Sequence, residues 1–175
     1  MLKSSVCKQE ELLSKGFQEK CMDLHIDEWF FNFSKTSAVV IPKGILHRKA
    51  WEWAYIAIAL EERGLLSVGK RGVGFAVGSE PLPAFFASKG CSILATDLGE
   101  DSNIAKGWME SGQNVDGKLS ELNKFGICED DEFDKRVEYR NVDMNEIPMD
   151  LREYDFCWSS CAIEHVGSLE KSKMF

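Results

Sequence analysis

Residues 72–97 read GVGFAVGSEPLPAFFASKGCSILATD, and this stretch predicts the fold of the chain. Two apolar segments, 73–77 and 92–96, are expected to be strands. Between them lie a glycine-rich turn and a helix that begins at the two prolines and ends at a glycine. The second strand ends on a single acid, Asp97. A strand, a glycine turn, a helix, a strand and a terminal acid form the first half of a nucleotide-binding α/β unit.

The turn and the terminal acid predict a ligand site. Glycine lets the backbone approach a ligand closely, and the free N–H groups of a helix N-terminus favour a negative group. Asp97 lies on the order of 20 residues beyond the turn, where its carboxylate can accept hydrogen bonds from a ribose. Its alternative role is that of an N-cap for the segment that follows. The stretch therefore predicts a nucleoside-type cofactor.

The whole chain has the composition of a soluble globular domain. Of its 175 residues, 44% are hydrophobic and 29% are charged, which suits one domain with a sizeable core. A net charge of −8 argues against a protein that binds the phosphate backbone of nucleic acids. The sequence shows neither a signal peptide nor an apolar run of about 20 residues, so we expect a cytoplasmic protein that does not enter membranes.

Six scattered cysteines are expected to be free thiols in a reducing compartment. Cys91 and Cys157 fall in or beside predicted buried strands, where a free thiol packs as a small hydrophobic side chain. Cys157, Cys161 and His165 recur every four residues. Because Cys157 lies in a predicted strand, helical spacing does not apply to this series, and no metal site is predicted.

The chain is expected to divide into an N-terminal helical and aromatic extension, residues 1–46, and a cofactor-binding domain, residues 47–175. A dense aromatic stretch at 21–33 should cover one face of the domain or, alternatively, form a substrate or partner surface. The strongest helix, 47–63, is apolar around most of its circumference, so it should pack between layers. Its tryptophans are expected in the core, with a position at the cofactor as the alternative.

The second half of the chain supplies two more strands, and no repeat or linker interrupts it. Helices are expected at 102–111, 118–124 and 129–136, strands at 137–142 and 154–159, and a further helix in the last ten residues. The third strand leads into Asp143-Met144, and the fourth belongs to the segment YDFCWSSCAIEHVGSLE.

With the glycine turn, Asp97, Asp143-Met144 and that segment in order, the chain resembles a class I S-adenosylmethionine-dependent methyltransferase over roughly residues 48–170. A glycine-rich βα turn also opens dehydrogenases. A strand that ends DFxWSS and is followed by EH, however, is common in small-molecule methyltransferases and foreign to dehydrogenases.

The resemblance implies an α/β fold: a three-layer Rossmann-like parallel sheet with helices on both faces and strand order 3-2-1-4. The family sheet continues with strands 5-7-6, which the chain is expected to lack because it stops just after the fourth strand. The fourth strand would then be an edge with unpaired N–H and C=O groups, which promotes association. We therefore expect a truncated domain that forms a homodimer through this strand.

The resemblance also implies a cofactor, S-adenosylmethionine, and residues that hold it. Gly74, Ala76 and Gly78 would form the turn against its methionine part, with Ala76 in place of a frequent glycine. Glu80 would meet the amino group or organise the loop, although beside a proline it could simply favour the helix dipole. Asp97 would accept hydrogen bonds from both ribose hydroxyls.

The later strands are implied to complete the cofactor site. Asp143 would accept from the adenine amino group while Met144 covers the ring, but NVDMNEIP is also typical of an Asx turn. Leu98 follows the ribose acid in the same site. Ser159 and Ser160 lie where the fourth strand of the family meets cofactor and substrate.

Glu164 and His165 are implied to face the substrate as catalytic residues. The reaction would be in-line attack of a substrate nucleophile on the sulfonium methyl, and a base is needed only where the nucleophile arrives protonated. A solvated helix residue is the alternative for His165. The expected acceptor is a small molecule or a glycan. The alternative functions are a non-catalytic cofactor-binding or structural module that associates through its sheet edge, and an NAD-dependent dehydrogenase.

Overall fold

The computed structural model describes residues 6–28, 39–41, 44–99 and 118–174. Within these ranges the α-helices are α1 (Gln9–Leu12), α2 (Lys15–Asp23), α3 (Arg48–Glu61), α4 (Leu82–Ser88), α5 (Asp130–Arg136) and α6 (Leu169–Met174). The strands are β1 (Val39–Ile41), β2 (Gly44–Leu46), β3 (Arg71–Phe75), β4 (Ser92–Asp97), β5 (Val137–Asn141) and β6 (Phe156–Ser159), and two 3₁₀ turns span Leu119–Asn123 and Ile163–His165. None of these helices is long and apolar enough to cross a membrane. The predicted aromatic positions 29–33 and the predicted helix 102–111 lie outside the described residues.

Strands β3 to β6 form one parallel sheet in the order β5-β4-β3-β6. Numbered from one to four along the chain, they have the order 3-2-1-4, which confirms the predicted sheet. β1 and β2 pair separately as a short antiparallel hairpin. The chain steps outward from β3 through β4 to β5 and then returns to the other side of β3. Ligands of open α/β sheets bind at such a switch point, beyond the carboxyl ends of the strands.

β3 ends at Phe75, earlier than the predicted segment 73–77. Ala76 has a left-handed conformation, with a φ of 52°, which directs the chain away from the strand. The N–H of Val77 then donates to the carbonyl of Thr96 on β4, at 3.1 Å. The prediction was wrong at this end because an alanine gives no sequence signal for a left-handed residue.

Two glycines of β3 make room for aromatic rings. A Cβ atom on Gly74 would lie 2.3 Å from Cζ2 of Trp158, and one on Gly72 would lie 2.4 Å from the ring of Phe156. Both rings belong to β6, which pairs with β3 at these positions. The structure thus gives the two glycines a packing role, which the sequence did not indicate.

One face of the sheet packs against the helices. Phe86 of α4 lies edge-on to Phe156 and Trp158, with ring centroids 5.4 and 5.0 Å apart. Trp53 of α3 is 1% exposed, and α1 and α2 contribute to the same apolar cluster. This face holds the larger of the two apolar clusters of the described residues. Full burial of one large apolar side chain stabilises the fold by roughly 1.5–3 kcal/mol, so this face contributes most of the stability of the core.

The opposite face carries a smaller apolar cluster. Val73 and Phe75 alternate with the two glycines along β3 and pack here with Val142. The segment between β5 and β6 contributes Met144 and Leu151 to this cluster. The chain that follows β5 is thereby held against the sheet close to the carboxyl ends of its strands.

The cysteines differ in burial. All six are free thiols. Cys91, ahead of β4, is fully buried as predicted. Cys157 is exposed, so the expectation of a buried position was wrong. It lies on β6, an edge of the described sheet, and alternates with the buried Phe156 and Trp158.

Candidate functional site

The carboxyl ends of the four parallel strands open into one cleft. Each strand is followed by a segment that lines it, and α3 supplies a further wall. The lining residues are 76–80 after β3, Asp97 and Leu98 at the end of β4, 142–145 after β5, 160–162, His165 and Val166 after β6, and Lys49 and Trp53 of α3. The cleft therefore lies at the switch point of the sheet, where the topology places a ligand.

Asp97 holds the glycine turn. Its Oδ2 accepts a hydrogen bond from the N–H of Gly78 at 2.9 Å, and its Oδ1 accepts one from the N–H of Leu98 at 2.8 Å. Burial raises the pKa of Asp97, while the two N–H donors oppose this effect. An ionised carboxylate oxygen can accept more than one hydrogen bond. The fixed carboxylate can therefore also accept from hydroxyl groups of a ligand in the cleft.

Ala76 places strain in the same turn, since its φ of 52° falls in the left-handed region. This conformation costs a residue with a Cβ atom roughly 1–2 kcal/mol. We expect Ala76→Gly to raise the free energy of unfolding by about 1 kcal/mol, because glycine adopts it without the Cβ clash. Chemical denaturation measures the change. Ala59→Gly inside α3 is the matched control and should lower stability by about 1 kcal/mol; a loss of stability in both variants would contradict the strain.

Glu80 is a buried carboxyl group held by two tryptophans. Its Oε2 accepts from Nε1 of Trp53 at 3.1 Å, and its Oε1 accepts from Nε1 of Trp158 at 2.6 Å. Burial raises the pKa of Glu80 to about 8, against the opposing effects of the Trp158 hydrogen bond and of the positive charge of Lys49. The carboxyl group joins α3, the glycine turn and β6 at the cleft. It is therefore a support of the cleft and also one of its titratable groups.

The raised pKa of Glu80 makes stability depend on pH. Its folded value of about 8 lies above the ordinary 4.5. The folded protein therefore holds a proton that the unfolded chain has lost between these values, and stability falls as pH rises through that window. We expect a slope of roughly 1 kcal/mol per pH unit, measured by chemical denaturation from about pH 5 to 8. Glu80→Gln cannot titrate and should lack this slope; identical pH profiles for the two proteins would refute the assignment.

Asp143 forms an Asx turn, one of the two interpretations that the sequence left open. Its Oδ1 accepts from the backbone N–H of Asn145 at 2.8 Å and from the side-chain amide at 2.9 Å. Asp143, Met144 and Asn145 all line the cleft, and Met144 also packs on the smaller apolar cluster. Both bonds of the turn use one carboxylate oxygen, so the turn is compatible with a contact between Asp143 and a ligand.

Glu52 of α3 holds the turn that follows β6. Its Oε2 accepts from the hydroxyl of Ser160 at 3.1 Å and from the thiol of Cys161, and its Oε1 accepts from Arg48 at 3.1 Å. Burial raises the pKa of Cys161 to about 11, and the contact with Glu52 adds to this effect. The raised pKa makes this thiol a poor nucleophile near neutral pH, because the thiolate is the reactive form.

Most of the site residues predicted from the sequence lie in the cleft. Those that line it are Ala76, Gly78, Glu80, Asp97, Leu98, Asp143, Met144, Ser160 and His165. The structure places Gly74, Ser159 and Glu164 outside this lining. Gly74 lies against Trp158, and the hydroxyl of Ser159 is buried with no hydrogen-bond partner among the described residues. Glu164 is exposed, with its carboxylate 4.0 Å from Arg48.

Lys49 and Glu52 of α3 were missing from the predicted site, whereas a position at the cofactor was the alternative given for the tryptophans of this helix. Lys49 and Trp53 line the cleft, and Glu52 supports it. The sequence offered only one signal for them, namely a long helix directly ahead of the first strand of the unit. Within the described ranges, no group of three or more His, Cys, Asp or Glu side chains is placed to hold a metal ion.

No protein-family model and no curated protein matches the chain. Solved structures do match it. A proposed sarcosine dimethylglycine methyltransferase from Galdieria sulphuraria has 18% identity and a TM-score of 0.49, over 82% of this chain and 49% of that one. A TehB-like SAM-dependent methyltransferase from Corynebacterium glutamicum has 12% identity and a TM-score of 0.40, over 70% and 58%.

A third solved structure is the glycopeptide N-methyltransferase MtfA complexed with sinefungin. It has 14% identity and a TM-score of 0.40, over 77% of this chain and 46% of that one. The chain spans about half the length of the structures it matches.

Proposed function

We propose that the protein binds S-adenosylmethionine and transfers its methyl group to a small-molecule or glycan acceptor. One observation carries the proposal. The glycine turn, Asp97, Asp143-Met144 and Ser160 follow four neighbouring parallel strands and converge on a single cleft. The ribose of a nucleoside bound there would lie at the fixed carboxylate of Asp97, and its base would lie at Asp143 and Met144. Most of the residues that carry the sequence resemblance thus line one cleft, which supports the proposal.

The residues of the cleft fit the parts of this cofactor. Asp97 would accept from the ribose hydroxyls, Asp143 from the adenine amino group, and Met144 would cover the ring. When bound, the cofactor supplies a methyl group on a positive sulfur, so the protein mainly aligns the acceptor and excludes water. His165, which lines the cleft, would take a proton from an acceptor that arrives protonated. Glu164, exposed and outside the lining, is less suited to that task.

Calorimetric titration with S-adenosylhomocysteine and with NAD tests the proposal. Binding of the first ligand and not of the second supports it, whereas binding of NAD would favour a dehydrogenase. A dehydrogenase is less consistent with the turn, where helix α4 begins after Pro81 and no third glycine packs against the strand. A protein that binds neither ligand would be a structural module, and one that binds S-adenosylhomocysteine but transfers no methyl group would be a non-catalytic binding module.

The edge of the sheet supports a proposed partner, a second copy of the chain. Among the described residues, β6 pairs with β3 on one side and with no strand on the other. Unpaired N–H and C=O groups of such a strand can pair with the same strand of another molecule. Mass measurement in solution tests this proposal, and a monomer at high concentration would refute it.

The cysteines support a proposed location in the cytoplasm. All six are free, which is usual in a reducing compartment. Two of them, Cys21 and Cys161, have a pKa that burial raises to about 11. Thiols of this kind resist oxidation because they are rarely ionised.

A further inference from the structure

The turn after β6 places a thiol in the wall of the cleft. Cys161 lines the cleft beside Ser160, and its side chain is half-buried. Its backbone has a φ of 54°, in the left-handed region, which is uncommon for a residue with a Cβ atom. Once ionised, a thiol is one of the strongest nucleophiles among side chains. An electrophile held in this cleft would therefore meet a competing acceptor that belongs to the protein itself.

Glu52 of α3 faces this thiol. Its Oε2 accepts hydrogen bonds from the thiol of Cys161 and from the hydroxyl of Ser160, and its Oε1 accepts from Arg48 at 3.1 Å. The side chain of Glu52 is 19% exposed, so water screens its charge only in part. A negative charge in contact with the sulfur disfavours the thiolate, because like charges repel.

The other charged groups around the thiol oppose Glu52 without outweighing it. Arg48 and Lys49, also on α3, lower the pKa of Cys161, whereas burial and the contact with Glu52 raise it to about 11. Glu164, on the next 3₁₀ turn, lies 4.0 Å from Arg48. Among the described charged groups that act on Cys161, Glu52 is therefore the one that keeps the proton on its sulfur.

We propose that Glu52 protects the thiol of Cys161 from alkylation, so that a methyl group in the cleft passes to the acceptor and not to the protein. The choice of electrophile rests on the proposed function. In the step that Glu52 prevents, a lone pair of Sγ would form a bond to the methyl carbon as the bond between that carbon and the sulfonium breaks. The products would be S-methylcysteine, S-adenosylhomocysteine and the proton of the thiol. S-methylcysteine has no S–H to donate to Glu52, so the contact between this turn and α3 would be lost permanently.

The alkylation rate of Cys161 tests this role without any cofactor. The wild type and Glu52→Gln would react with iodoacetamide from about pH 7 to 10, and mass spectrometry of proteolytic peptides would follow each cysteine. For each unit by which a thiol pKa falls, the thiolate fraction rises about tenfold and the intrinsic reactivity falls about threefold. Glu52→Gln should therefore alkylate at Cys161 about threefold faster or more near neutral pH, with a pH profile shifted to lower pH. Cys157, exposed on β6, is the internal reference and should not change. Cys7 cannot serve, because burial, Glu11 and Glu52 all raise its pKa.

A variant with the opposite change of charge separates this effect from a loosened turn. Arg48→Met removes a positive group from the same network and should slow the alkylation of Cys161 below the wild-type rate. Loosening of the turn would instead raise the rate in both variants and at every pH. Thermal unfolding of each variant establishes that it is folded. An unchanged profile in Glu52→Gln, or faster alkylation in both variants, overturns the protective role.

Incubation with S-adenosylmethionine tests the identity of the electrophile. In proteins that bind S-adenosylhomocysteine, the Cys161 peptide of Glu52→Gln should gain a methyl group faster than that of the wild type, and equal rates overturn the proposal. Titration with S-adenosylhomocysteine tests the proposed function independently. A wild type that does not bind it refutes that function, while the iodoacetamide profiles still decide whether Glu52 controls the thiol.

Discussion

Replacing Gly74 with alanine is expected to lower the free energy of unfolding by about 3 kcal/mol. The added Cβ atom would lie 2.3 Å from Cζ2 of Trp158 and 2.6 Å from Cγ1 of Val77. Neither neighbour can easily yield. Trp158 is 5% exposed, packs against Phe86 and donates to Glu80, so a shift of its ring would disturb the core and the cleft together. Chemical denaturation measures the loss.

Gly16→Ala provides the matched control. Gly16 lies within α2, and a Cβ atom there would meet nothing within 4 Å. The same substitution should therefore raise stability by about 0.5–1 kcal/mol, as expected for alanine in a helix. If Gly74→Ala were as stable as the wild type but bound S-adenosylhomocysteine more weakly, the packing role would be wrong and the ligand role inferred from the sequence would be right.

Asp97→Asn is expected to weaken the binding of S-adenosylhomocysteine about 100-fold, because the two charge-assisted hydrogen bonds that we propose to the ribose would lose their acceptor charge. The amide also has only one acceptor oxygen for the two N–H groups of Gly78 and Leu98 that the carboxylate now serves. The loosened turn adds to the loss of affinity. Calorimetric titration measures the dissociation constants of both proteins.

Asp143→Asn is the corresponding control on the next segment. An asparagine there keeps the oxygen that accepts both bonds of the Asx turn, so the backbone should be preserved. Asp143 would make one hydrogen bond to the adenine, and we expect its loss to cost less than about tenfold in affinity. Equal effects of the two substitutions would contradict the ribose role of Asp97, and so would binding by Asp97→Asn at the affinity of the wild type.

The strand order could be predicted from the sequence because its signals are local. Each parallel strand is a short apolar run, and each is followed by polar residues that the sheet brings to one edge. The place of Asp97 and Asp143 in the cleft could be predicted for this reason, since each lies at or shortly after the carboxyl end of its strand. The end of β3 was predicted wrongly, because the left-handed backbone of Ala76 depends on tertiary contacts and gives no local signal.

Contacts between distant residues could not be predicted. Gly74 looks like part of a ligand turn until the ring of Trp158 is seen to lie over it. Glu80 follows a serine and precedes a proline, which locally favours a helix start, and nothing nearby in the sequence indicates its burial. Lys49 lies on a helix that is apolar on most sides, so its pattern does not reveal which residue faces the strand ends.

The link between Glu80, Trp53 and Trp158 also restricts how the sequence can change over time. The carboxyl group lies 27 positions from one indole and 78 from the other, yet it accepts one hydrogen bond from each. Loss of any one member leaves a buried polar group without its partner, which costs about 1–3 kcal/mol. Exchange of all three for apolar side chains of similar size would avoid that penalty. A change of all three residues must pass through single substitutions that lower stability. The three residues are therefore expected to be conserved together.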